Sequence, residues 1–110
     1  MAHNQELLQK LGACAAACEM CADACLGEDD IKKMVRCIRL DRDCAKICYT
    51  TASFVASHSE HTERLIKECE ELCRMCAEEC EQHEMDHCRE CAKACRECEE
   101  ACKSFSGVGV

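Results

Sequence analysis

Apolar and small residues recur along the chain at steps of three and four, the spacing that returns to one face of an α-helix. Four such stripes can be followed. The first reads Leu7, Leu11, Cys14, Cys18, Cys21, Cys25 and the second Met34, Cys37, Asp41, Cys44, Cys48, Thr51, Val55. The third reads Leu65 or Ile66, then Cys69, Cys73, Cys76, Cys80, His83, and the fourth Cys88, Cys91, Cys95, Cys98, Cys102, Phe105. Glutamate, lysine and arginine fill the opposite faces, as they do on helices with one side in water.

The spacing predicts a helix from Asn4, as N-cap, to about Leu26, with Gly27 placed to stop it. A second starts after Asp29 or Asp30 and runs to about Ala56. In "SHSE" a capping box is expected to open the third, with Ser57 as cap and Glu60 reaching back. No Gly or Pro divides the third from the fourth. The break follows from phase: eight residues from Cys80 to Cys88 stand ~80° off the stripe of a continuous helix, and Asp86 is placed to cap the new one. Amphipathic segments with short connections predict an all-α protein, an antiparallel four-helix bundle with a cysteine-lined core, in one domain spanning 1–110 with a flexible tail from about 105.

Up-down-up-down order decides which residues share an end. Leu7, Leu11, Val55, Leu65 and Phe105 gather where the chain begins and ends. Met34, His83, Met85 and His87 gather at the end formed by the first and third connections. One end is plugged with hydrocarbon and the other carries soft and borderline ligands.

Composition changes the picture. Of 110 residues 16 are Cys, whereas Leu, Ile, Val and Phe together number 17. So little hydrocarbon with a net charge of -8 would ordinarily suggest disorder. The strict periodicity argues otherwise, and bound metal, whose binding energy can be folding energy, would supply the missing cohesion. The acidic balance and lack of a basic stripe argue against nucleic acid and would draw cations. "MAHNQELLQK" has no apolar h-region and no long apolar run follows, so neither a signal peptide nor a membrane span is expected. The expected location is the cytoplasm, where thiols stay reduced, and cysteines in this number there are metal ligands more readily than disulfides.

Sulfurs at i and i+4 on a rigid helix can flank one small ion. Thiolates select Cu(I), zinc or iron–sulfur clusters. Zinc requires four ligands in a tetrahedron, and cluster motifs sit in turns of varied spacing. Stripes along regular helices suit many two-coordinate Cu(I) ions better. If thiolates bridge, roughly one Cu(I) per thiolate leaves the interior near neutral, whereas unshared pairs would hold about half as many and leave each site anionic. The expected capacity is therefore on the order of 10 to 16 Cu(I) per chain.

"CIRLDRDCAKIC" and "CEQHEMDHCRECAKACRECEEAC" resemble the bacterial copper storage proteins, cytosolic branch, and the resemblance covers nearly the whole chain. It implies a four-helix bundle that fills with Cu(I) and assembles as a homotetramer. Its thiol ligands fall on Cys14, Cys18, Cys21, Cys25, Cys37, Cys44, Cys48, Cys69, Cys73, Cys76, Cys80, Cys88, Cys91, Cys95, Cys98 and Cys102, and its mouth histidines on His83 and His87. Met85 stands where a further histidine is expected, and Lys32 and Lys33 occupy a stretch often His-rich in relatives.

Met34 and Met85 are either gap-fillers or ligands. Met20 and Met75, flanking the stripes, read as packing, and His3, His58 and His61 as solvent-facing or capping residues. Asp41 either accepts hydrogen bonds inside or tilts outward. No Ser/His/Asp set or phosphate loop points to an enzyme. Two other functions fit the thiols less well: an iron–sulfur or redox-sensing protein, betrayed by visible colour, and a zinc or metallothionein-like detoxification module, separated by competition with a cuprous chelator. A copper chaperone is a candidate partner of the copper-storing reading.

Overall fold

The computed structural model describes residues 2–107, with side chains from 4 to 105. They form α1 (Ala2–Cys25), a 3-10 turn (Ile31–Met34), α2 (Val35–Ala56), α3 (Thr62–Cys80) and α4 (Asp86–Gly107), without a strand among the described residues. The helices close a ring in which α1 packs on α2 and α4, and α3 on the same two. The bundle measures 45 × 18 × 17 Å, close to the ~36 Å expected of a 24-residue helix plus its turns.

Burial follows the stripes. Leu7, Leu11, Met34, Val55, Ile66 and all sixteen cysteines are removed from solvent. Of the two residues offered for the start of the third stripe, Ile66 points inward and Leu65 stays half-exposed. Met75 packs against the core, but Met20, expected to pack, is 68% exposed on the outer face of α1; a position flanking a stripe can rotate to either side. The helix faces rich in Glu and Lys are largely solvated. Glu79 and Glu99 are exceptions, buried at the margin of the core and paired with Arg36 and His83, and with Arg96 and Lys103.

The helix ends depart from expectation in detail. Helix α1 already includes Asn4, which therefore lies inside its first turn rather than capping it. At its other end Leu26, Gly27 and Glu28 donate to Asp23, Ala24 and Cys25 at 3.0–3.2 Å, so the helix tightens to i→i−3 bonds and unwinds without a left-handed glycine. The expected capping box does not form. Residues 54–59 instead terminate α2: Ser59 N–H donates to Phe54 O and His58 N–H to Val55 O, both at 3.1 Å, around a left-handed His58 with φ of 54°. That pair of bonds is a Schellman motif, and it satisfies carbonyls that a Ser57 cap would have left open. Ser57 Oγ donates back to Phe54 O, and α3 starts five residues later, at Thr62. Asp86 is the first residue of α4, where its charge faces the positive helix end. Helix α4 continues through Gly107 past the expected start of the tail, and residues 108–110 lie outside those described, as does the side chain of His3.

Candidate metal-binding interior

One end of the interior is closed by hydrocarbon. Leu7, Leu11, Val55 and Ile66 are buried there, with Phe105 packed against them and Thr51 Oγ1 donating to Leu65 O at 3.4 Å. Inward of this plug the interior is sulfur. Cys48 lies 3.8 Å from Cys69, Cys44 3.7 Å from Cys73, and Cys14 3.7 Å from Cys95. The chain of sulfurs continues through Cys18, 3.7 Å from Cys95 and 3.8 Å from Cys91, to Cys37, which lies 3.7 Å from Cys80 and 3.9 Å from Cys25.

These spacings suit bridging. With metal–thiolate bonds of about 2.3 Å, two sulfurs on one ion stand no more than about 4.6 Å apart. Among the described residues several sets of four donors lie within 4.8 Å of one another: Cys14, Cys44, Cys48, Cys73; Cys14, Cys18, Cys44, Cys95; Cys18, Cys76, Cys91, Cys95; and Cys48, Cys69, Cys73, Cys98. The first set shares Cys14 and Cys44 with the second and Cys48 and Cys73 with the fourth, and the second shares Cys18 and Cys95 with the third, so these thiols form a continuous column rather than a row of separate pockets. All sixteen cysteines are free and buried.

Proton affinity within the column is uneven. Burial, and then the charge of Cys37, push Cys88 up to about 12, and the same two causes raise Cys25. Cys37 is held down to about 3 because Cys21, Cys80 and Cys25 donate to its thiolate. Cys14, Cys44, Cys69 and Cys91 are likewise pulled down, in each case first by a neighbouring thiol that donates to the thiolate form. A few sulfurs thus carry charge while their neighbours keep the protons, which limits the cost of burying an anionic array. An arriving cation meets thiolates already formed and displaces the remaining protons.

Asp41, ambiguous in the sequence, points into the column and is fully buried. Its Oδ1 accepts from Cys76 at 3.1 Å and Cys80 at 3.7 Å and lies 3.3 Å from Cys91 Sγ, and its Oδ2 lies 3.8 Å from Cys37 Sγ. Burial, and then the charge of Cys91, raise its carboxyl to about 8. One carboxyl therefore gathers thiols from three helices, α2, α3 and α4. Sequence spacing placed Asp41 on the stripe; only the helix rotation shows that it stays inside.

At the far end the donor set changes. Cys21, Cys25, Cys88 and His87 form a further four-donor group, with His87 Nδ1 3.5 Å from Cys21, 3.6 Å from Cys88 and 4.0 Å from Cys25. His83 is differently placed. Its Nε2 lies 2.9 Å from Glu79 Oε2, and its ring makes no hydrogen bond to a thiol among the described residues. Met34 is buried below this end and Met85 packs partly against the core.

A cytosolic copper storage protein from Streptomyces lividans, in a structure with five coppers, is 37% identical with a TM-score of 0.94, over 96% of this chain and 93% of that one. The same Streptomyces protein is known loaded with 10 copper equivalents. Copper storage protein Csp3 of Bacillus subtilis, in its Cu(I)-bound form, is 35% identical with a TM-score of 0.89, over 93% of this chain and 96% of that one. The cysteine-rich protein YhjQ of Bacillus subtilis is 39% identical over 80 residues, 73% of this chain and 74% of its own length. Residues 1–107 match the family described as Csp, copper storage protein. The chain belongs to the copper storage protein family.

Proposed function

We propose that this protein stores Cu(I), many ions per chain, on the sixteen cysteines of its interior. One observation carries the reading: the buried free thiols run through the bundle in closely spaced four-donor groups, most of which share members, closed at one end by hydrocarbon. Soft thiolates in a continuous column suit a soft, low-coordinate ion, and sharing of sulfurs keeps the filled interior near neutral. The role is storage without catalysis, carried by the chain as a single domain. No described helix is long and apolar enough to cross a membrane, and the reading places the protein in the cytosol, like its Streptomyces relative. Assembly as a homotetramer and exchange with a copper chaperone belong to the same reading.

Copper enters and leaves at the end formed by the first and third connections. A bare cation has no ligand among Leu7, Leu11, Val55, Ile66 and Phe105, and passage there would leave its charge unsolvated. His87, His83, Met34 and Met85 offer weaker, exchangeable donors above the thiols. Anaerobic titration of the reduced apo-protein with Cu(I) tests the function: saturation on the order of 10 to 16 ions per chain is expected. Saturation at one or two ions would sink it, and visible cluster absorption after iron and sulfide loading would favour an iron–sulfur protein.

A further inference from the structure

Both histidines at the open end have a carboxylate on Nε2. Glu79 Oε2 lies 2.9 Å from His83 and Glu28 Oε2 3.0 Å from His87. The two pairs are not equivalent. Glu79 sits one turn before His83 on α3 and also holds Arg36 Nε at 3.3 Å, so it ties the start of α2 to the end of α3. Glu28 belongs to the connection after α1 and reaches across the opening to the first turn of α4.

A carboxylate presents only lone pairs, so the ring nitrogen facing it must carry the hydrogen. In the neutral His87 ring that nitrogen is Nε2, and Nδ1 is left with its lone pair. Nδ1 is the atom that faces Cys21, Cys88 and Cys25 at 3.5, 3.6 and 4.0 Å. The opposite tautomer would set a lone pair against a carboxylate and aim an N–H at the place where a cation must sit with those sulfurs. An acceptor on the outer nitrogen also strengthens the inner one as a donor and fixes the ring plane.

We propose that Glu28 is a positioning residue for copper transfer: it holds His87 as the Nε2–H tautomer with Nδ1 turned onto the Cys21–Cys25–Cys88 group. This inference rests on the storage reading, and assigns the ready donor of the opening to His87 rather than equally to His87 and His83. Glu28 touches no copper ion itself; it acts through the ring.

Two measurements test it. The first uses no copper: ring ¹⁵N shifts of His87 in the reduced apo-protein at neutral pH are expected to show protonated Nε2 and unprotonated Nδ1. A ring protonated on Nδ1, alone or on both nitrogens, overturns the proposal, whether or not the protein stores copper. The second follows transfer of Cu(I) from a colorimetric cuprous chelator complex in wild type, Glu28→Ala, His87→Ala and the double variant. Loss of this partner is expected to slow transfer about tenfold in Glu28→Ala, with the final number of ions per chain unchanged in that variant, and with no further slowing when it is added to His87→Ala. A Glu28→Ala effect that persists in full without His87, or no effect of either single variant, overturns it. Failure of the wild type to take up several ions would instead remove the storage reading and leave the tautomer result to decide how Glu28 and His87 are paired.

Discussion

Replacing Asp41 by Asn changes one proton-binding group in the middle of the thiol column and little else in shape. The folded apo-protein binds the Asp41 proton far more tightly than the unfolded chain, because burial and the charge of Cys91 raise the carboxyl from 3.8 to about 8. Linkage sets the sign: this contribution to stability is complete below about pH 4, declines as pH rises, and levels off above about pH 8, where both states are ionised. Between those limits the slope approaches 1.36 kcal/mol per pH unit, so from pH 5 to pH 7.5 the wild type should lose about 3 kcal/mol relative to Asp41→Asn. Thiol titration affects both proteins and largely cancels in the difference. For a domain of this size the change corresponds to roughly 10 °C in Tm. The assay is denaturation of both apo-proteins, reduced and anaerobic, across that pH range. Parallel stability profiles would show that Asp41 stays ionised in the column and would refute the account in which burial and the charge of Cys91 raise its carboxyl.

The apo-protein should give a helical far-UV circular dichroism spectrum, since periodicity and packing do not depend on metal, and Cu(I) loading should raise Tm well above the apo value; a random-coil apo spectrum would contradict this. Leu11→Ala should cost about 2–5 kcal/mol of apo stability by opening a cavity in the plug, with copper capacity measured by titration unchanged. His58→Gly should stabilise the protein by about 0.5–1 kcal/mol, because glycine adopts the left-handed conformation at the end of α2 without steric cost, and chemical denaturation reads the difference. Cu(I) uptake should release protons, detectable with an indicator dye in weak buffer, and should weaken as pH falls, because most of the thiols start protonated.

Helix existence, the inward face of each helix and the thiol lining were all legible in the amino-acid order, because each depends on a local period that any α-helix repeats. The same period joined Cys69 to Cys80 and separated Cys80 from Cys88. It could not say which sulfurs from different helices meet, since that depends on the rotation and axial shift of each helix against two neighbours. Hence the sharing of Cys14 and Cys44 between donor groups, and the inward turn of Asp41 onto Cys76 and Cys91, emerged only in the packed bundle. The ends of the helices were legible in position but not in chemistry: "SHSE" reads as a capping box, whereas the last carbonyls of α2, open as at any helix end, are met by the turn around a left-handed His58. His83 and His87 share a helical spacing in sequence, yet a break in the helix separates them. The Glu79 contact of His83 is local, one turn away, but only the tertiary structure placed the His87 ring between Glu28 and three thiols, because residues 59 positions apart meet only when α1 and α4 lie side by side.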